Sequence, residues 1–498
     1  MGLSSTQRDG ISTIVAILFG FSLSVMLVGL GLAGGMRLFA VVCGVSVFIL
    51  AAIVSGNPRL LILWALIFSL PMALSKHFGE IAYKGGGEQS FRIELYDIFV
   101  GLLLIFQLRD ALAKKIEGLY IPRVIWFWIA IMLIGVMDII QGPWRTYSAQ
   151  ELVRMAKVML LFIVLVNELK TTGRFKQCIP PLAFGMILQS SVGIAQYLKG
   201  GLLGLEILGE TTAHTITNLA KTSVEGAAVF RPSGLLLHAN IFGIYQATVL
   251  PFLIGGFLLS RDFVYKAFLM SASLLGVVGL LLSQSRAAWV SFALEFMVLM
   301  ALMLVHRRMV KRIVVAMVGA TVAVAVVLVM YADKIIARLF HSKADATVGR
   351  DVFLGDFYRL ISDHWLFGVG LNAYTMEVQP YLSFSIDVYD NWVPPVHNIY
   401  YLWWGETGIF GLALHLLLWV GIFLTAIKNL KIKNDVLFMF NAACLAAMVG
   451  FFFDGFLGFA LRVNQPQRMY FLFAAFVFAT YYWQIAQAKY QAKSAASQ

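Results

Sequence analysis

Three short stretches place arginine or histidine at the ends of long apolar runs. The first is Phe230-Arg231-Pro232-Ser233-Gly234, followed by His238-Ala239-Asn240. The second is Ser283-Gln284-Ser285-Arg286, between two apolar runs with almost no loop. The third is Val396-His397-Asn398-Ile399-Tyr400-Tyr401, then Glu406-Thr407-Gly408-Ile409-Phe410-Gly411-Leu412. A guanidinium wedged between two spans, as at Arg286, must snorkel to headgroups, pair, or bind an anion. Arg231 precedes Pro232 at the mouth of a span, where an ordinary loop charge is the plainer reading. Two arginines converging from different spans would clamp a diphosphate, because each fork binds phosphate oxygens in a bidentate way. His397 begins a span. It is either an interfacial polar cap or a proton acceptor poised near neutral pH. Glu406 lies nine residues further on, on the opposite helix face and about 13 Å deeper. It is expected to pair with an internal arginine or to mark a bend beside Gly405 and Gly408, rather than to act with His397.

Arg154 and Lys157 stand within another apolar run, one turn apart on one face. Two cations inside a span are costly unless they meet an anion or a water-filled cavity. They are candidates for a second phosphate contact or a sugar-pyrophosphate pocket, with snorkelling as the alternative for Arg154. Arg350 and Arg359 could reach anionic sugars, or form solvated pairs with Asp351, Asp356 or Asp363. His238, Asn240, Asn398 and Tyr401 complete the candidate substrate contacts. No metal is expected: the eight histidines form no HxxxH pair, and neither a CxxC nor a DxD pattern occurs. No cofactor is expected either, since no glycine-rich phosphate loop follows a strand.

The elements that must position these residues follow from composition. Of 498 residues, 60% are hydrophobic and 13% charged. Soluble domains run at about 45–50% and about 25%, so a water-soluble enzyme is excluded. At about 20 residues per span, the apolar runs predict an all-α, polytopic transmembrane bundle of about 12–14 helices. The runs are 11–33, 37–55, 59–75, 93–108, 124–141, 151–167, 178–198, 239–260, 266–283, 287–305, 313–332, 398–427, 436–458 and 468–486. The whole chain, 1–498, reads as a single integral membrane domain. Cys43, Cys178 and Cys444 sit in or beside apolar runs and make no disulfide framework. Arg8 precedes a run, Ile11–Ala33, too long for a signal-peptide core, so no cleavable signal is expected.

The net charge of +12 reflects topology rather than nucleic-acid binding. Arg109, Lys114, Lys115 and Arg123 fall on one side. So do Lys170, Arg174 and Lys176, then Arg307, Arg308, Lys311 and Arg312, then Lys428, Lys431 and Lys433. By the positive-inside rule that side is cytoplasmic, with both termini. The opposite side carries two longer loops, 199–238 and 333–397. The second holds Trp365, Trp392, Pro394 and Pro395 and is too aromatic for a disordered linker. It is expected to fold as a small helical cap over the site.

Taken in order, these stretches resemble the O-antigen ligase and polymerase superfamily of bacterial envelope glycosyltransferases. The strongest likeness is Gly349-Arg350, then Asp363-His364-Trp365-Leu366-Phe367-Gly368-Val369-Gly370-Leu371-Asn372, then His397-Asn398-Ile399-Tyr400 and Glu406 to Leu412. The motif-bearing core covers about 225–425. The resemblance implies a periplasmic cap, a location in the bacterial inner membrane, and a periplasmic active site. It implies an undecaprenyl-diphosphate-linked glycan as donor, and a glycan or lipid A-core hydroxyl as acceptor. Membrane lipids, and for a polymerase a chain-length regulator, are the further partners. Arg231 and Arg286 match its diphosphate-binding arginines and His397 its catalytic histidine. Polymerisation of O-antigen or exopolysaccharide repeats is favoured over ligation to lipid A-core or transfer to protein. From another class, a lipid-linked sugar flippase would also suit cations within spans. It predicts internal repeats and charges deep in several helices, whereas here the polar residues gather at one boundary.

Overall fold

The computed structural model describes residues 56–79, 88–115, 118–211, 221–224, 227–305, 345–383, 393 and 395–496. Residues 1–66 and 67–498 form two compact units. Within the described residues the helices are α1 (Pro58–Ser69), α2 (Leu95–Leu112), α3 (Ile125–Gln141), α4 (Arg145–Thr172), α5 (Ile179–Lys199), α6 (Ala239–Leu259), α7 (Phe263–Leu282), α8 (Arg286–Val305), α9 (Asp345–His364), α10 (Tyr374–Glu377), α11 (Ile399–Asn429), α12 (Asp435–Leu457) and α13 (Asn464–Ala496). Among the described residues, seven helices are long and apolar enough to cross a membrane: Lys176–Lys199, α6, α7, α8, α11, α12 and Asn464–Ala486. The protein is an all-α polytopic membrane protein, as its composition demands. The shorter apolar helices α1 and α3 fall on two further expected spans, and α2 and α4 on two more. The runs at 11–33, 37–55 and 313–332 lie outside the described residues, as do Arg8 and Cys43.

Local signals set the boundaries. Pro180 and Pro181 open α5 at the positions where an absent N–H costs nothing. Gly173 and Gly200 close α4 and α5 with φ of 63° and 69°, a conformation glycine adopts without strain. Glu94 and Asp97 form a reciprocal capping box at the start of α2. In the second unit, α5, α6, α7, α8 and α12 pack as one neighbourhood, and α3, α4, α11 and α13 as another. The pairs α11–α12 and α12–α13 join the two.

The structure differs from the sequence reading in two places. Two short antiparallel hairpins appear, one that takes in a loop and the ends of the expected spans 59–75 and 93–108, and one within an expected loop. One pairs β1 (Ser75–Phe78) with β2 (Phe91–Glu94), and the other β3 (Lys221–Val224) with β4 (Ala227–Phe230). Their strands are four residues long, too short for a period-of-two pattern to stand out. The span expected at 151–167 is the inner part of a 28-residue helix that begins at Arg145. Its leading turns carry charge that tertiary ion pairs neutralise. The span expected at 398–427 is present and bends at Gly408, where φ is 66° and ψ −174°, one of the two roles expected of the Glu406 region.

That bend is stitched closed by the described part of the segment expected to form the cap, hereafter the cap. The cap holds α9, α10 and a 3₁₀ turn at Gln379–Tyr381. Its Trp365–Leu371 segment lies against the bend in α11. Val369 and Gly370 donate their amides to the carbonyls of Gly405 and Glu406, both at 2.9 Å. Ile409 donates to the Trp365 carbonyl at 3.1 Å, and Trp404 Nε1 does so at 2.9 Å. A bend in a buried helix frees backbone groups that something must satisfy, which is why Asp363–Asn372 and Glu406–Leu412 belong together. A Cβ at position 408 would fall on the Leu366 carbonyl. Gly408→Ala should therefore lower stability by about 1–3 kcal/mol or more, read as a fall in the unfolding midpoint in detergent. Gly355→Ala on α9, where an added Cβ meets nothing within 4 Å, should not lower it, because alanine is the better helix former.

Candidate active site

The first two arginine stretches meet. Arg231 is 9% exposed. Its Nε donates to the Ser283 carbonyl at 3.1 Å, and its Nη2 to Asn240 Oδ1 at 2.6 Å. Ser283, Gln284 and Ser285 form the whole connection between α7 and α8, and Arg286 is the first residue of α8. Gln284 takes a left-handed conformation, φ 51°, to turn the chain in so few residues. Gly243, in the second turn of α6, sits against this connection: a Cβ there would come within 2.8 Å of Ser283 Oγ and 2.9 Å of Ala288 Cβ. The guanidinium of Arg231 is thus bonded to the connection that presents Arg286.

Two buried glutamines of α5 hold the Arg231–Gly234 turn. Gln196 Oε1 accepts from the amides of Ser233 (3.1 Å) and Gly234 (2.9 Å), and its Nε2 donates to the Gly234 carbonyl (2.9 Å) and to Glu210 (2.6 Å). Gln189 Oε1 accepts from Leu235 at 2.8 Å. The sequence reading passed over both. Their signal was there: two polar residues seven apart in an apolar run share one helix face, and apolar surroundings make such groups find partners.

His397 lies just ahead of α11. Its ring stacks on Phe353 of the cap helix α9, with centroids 5.9 Å apart, and takes Phe459 edge-on at 5.3 Å. Asn398 caps α11: its Oδ1 accepts from Tyr400 (3.0 Å) and Tyr401 (3.1 Å), and its Nδ2 donates to the Phe456 carbonyl (3.4 Å). Tyr401 stacks on Phe357 at 4.9 Å and its hydroxyl is 3.3 Å from that of Tyr358.

His238 connects the groups electrostatically. Its Nδ1 accepts from the Asn240 amide at 3.0 Å, a role open only to the unprotonated nitrogen. Burial, then the neighbouring Arg231 and His397, hold its imidazole down at about 3. His397 and Arg231 thus both act on His238 at the same end of the helices. There α6, α8 and α11 begin and α7 and α12 end.

Arg154 and Lys157 belong to a different cluster. Arg154 is 5% exposed. It pairs with Glu151 and donates to Gln467 (2.7 Å) and Asn464 (3.3 Å), with Glu88 at 4.0 Å. Lys157 pairs with Asp97 (2.7 Å) and Glu94 (3.1 Å). Arg462 pairs with Glu151 and with Glu406 (3.2 Å), Arg468 with Glu94, and Arg92 with Glu88 (2.7 Å). Glu88, Glu94, Asp97, Glu151 and Glu406 thus face Arg92, Arg154, Lys157, Arg462 and Arg468. The anion that Arg154 and Lys157 require is supplied by the protein. Their polar contacts run within this network, and among the described residues none reaches Arg231, Arg286 or His397. Glu406 is both the partner of an internal arginine and the neighbour of the Gly408 bend.

In the cap, Arg359 pairs with Asp356 and donates to the Tyr381 carbonyl at 3.0 Å, so the local ion pair is realised. Arg350 lies on α9; its side chain is outside the described residues. Cys178 and Cys444 are buried free thiols.

Fold and site together define a polytopic helical membrane protein whose arginine and histidine stretches meet at one end of its helices. Residues 271–416 match the O-antigen ligase family, in agreement with the superfamily that the motifs resemble. The match takes in Arg286, the described part of the cap, His397 and the Gly408 bend, and stops short of Arg231. No curated protein matches the chain.

Proposed function

We propose that the chain is an inverting glycosyltransferase that moves a glycan from undecaprenyl diphosphate to an acceptor hydroxyl at the periplasmic face of the bacterial inner membrane. Its preferred reaction is polymerisation of O-antigen or exopolysaccharide repeats. The observation that carries this reading is the bond from Arg231 to the Ser283 carbonyl, which joins the two arginine stretches at the end of the helices where His397 lies. Arg231 and Arg286 hold the diphosphate at the membrane boundary while the isoprenoid tail stays in lipid. As the anomeric C–O bond breaks, negative charge grows on the leaving diphosphate. Fixed guanidinium groups stabilise that charge more in the transition state than in the ground state, the part a divalent cation plays in many other glycosyltransferases. His397 takes the proton of the acceptor hydroxyl as its oxygen bonds to the anomeric carbon. Attack opposite the leaving group inverts that centre.

Ligation of finished chains to lipid A-core is the second reading, favoured by the description of the family matched at 271–416. The length of glycan still attached to undecaprenyl diphosphate separates the two. In a deletion strain, single repeat units stranded on the lipid mean a polymerase, and long chains stranded on the lipid mean a ligase. Lipid-linked glycan unchanged from the complemented strain would overturn the transferase reading and favour a lipid-linked sugar flippase.

A further inference from the structure

Glu295 is the one charged residue of α8 after Arg286. It is 0% exposed, and neither carboxyl oxygen has a hydrogen-bond partner among the described residues. The carboxyl lies on Gly450 of α12, where an added Cβ would fall on Oε1. Ser291, one turn earlier on the same face of α8, donates its hydroxyl to the Gly450 carbonyl at 3.2 Å. Asp454, one turn beyond Gly450 on α12, is also buried and close enough to act on Glu295 electrostatically. The other neighbour, α6, carries no charged residue, and the hydroxyl of its Tyr245 is directed at Gly185 of α5. On α7 the only charged residue, Lys266, lies in the first turn, at the far end from Arg286. The charged side chain of these helices that acts on Glu295 is therefore a second acid.

A carboxylate in an apolar span needs a cation or several donors, and two neighbouring buried carboxyls resist ionising together. We propose that Glu295 and Asp454 form an intramembrane proton-binding site in which the Glu295 carboxyl holds the proton at neutral pH. The inference stands on the α8–α12 packing and does not rest on the glycosyl-transfer reading. Its consequence reaches the candidate active site, because α8 begins with Arg286 and Phe456, near the end of α12, accepts the hydrogen bond from Asn398. Losing the proton would put an uncompensated charge between the two helices.

Infrared spectroscopy of the full-length protein in lipid at pH 7 tests this. The wild-type spectrum minus that of Glu295→Gln should show the C=O stretch of one protonated carboxylic acid per chain. Should Glu295→Gln fail to fold, Asp454→Asn serves instead, and the Glu295 C=O stretch should move without disappearing. A difference spectrum with carboxylate stretches at pH 7 would overturn the proposal. So would a C=O band lost when sodium replaces choline at constant ionic strength, since that defines a cation site. Neither outcome depends on whether the protein transfers sugar.

Discussion

His397→Ala should all but abolish the proposed glycosyl transfer: the expected fall in rate is about 10²–10⁴-fold, the contribution of a positioned general base. Binding of the lipid-linked donor should persist, because in the proposed mechanism His397 touches the acceptor and the arginines hold the donor. The measurement is initial transfer rate and donor affinity on the same purified protein in lipid. The ring also stacks on Phe353 and Phe459, so truncation removes packing as well as chemistry. His397→Gln separates the two, since it fills part of the space and offers hydrogen bonds but carries no imidazole base. Both variants should lose transfer to a similar extent. Equal loss of donor binding and transfer would move His397 from catalysis to binding. Recovery of transfer in His397→Gln would leave it a purely structural role.

Arg286→Ala should lower kcat by about 10²–10³-fold, the usual cost of removing one group that stabilises developing charge. KM for the donor should change far less, because the interaction strengthens as the diphosphate leaves. Arg286→Lys should recover part of that rate, since charge returns without the planar fork. Arg231→Lys should recover less. Arg231 is buried and its fork bonds the Ser283 carbonyl and Asn240 together, a geometry that an ammonium on a flexible stem does not reproduce. A rise in KM at constant kcat would show binding of the ground state only. Unchanged kinetics in Arg286→Ala would remove it from the diphosphate site.

The spans were legible because hydropathy is a local property: an apolar run of about 20 residues has few alternatives to a membrane helix. Glu406 was legible in part, because a carboxylate deep in a span beside two glycines demands either a cation or a bend; the structure has both. Arg154 and Lys157 were half legible. Their need for an anion follows from burial alone, but the nature of that anion does not. The carboxylates that answer them include Glu88, Glu94 and Asp97, brought in by the β1–β2 hairpin and the start of α2. Those residues are some 60 positions away, and no periodicity within α4 points to them.

By itself, the sequence determined that this is an all-helical membrane protein, and where Arg231, Arg286 and His397 lie relative to their spans. Those are consequences of composition and of the order of residues along each helix. Tertiary structure decided which charges neutralise one another and which polar groups hold the turns. Gln189 and Gln196 became clamps on the Arg231 turn because α5 packs beside α6. The carbonyls freed at Gly408 found the amides of Val369 and Gly370 because the cap returns to α11. Both outcomes arise from the same constraint: a buried polar group must find a partner, and the chain meets that partner only after helices distant in sequence have packed.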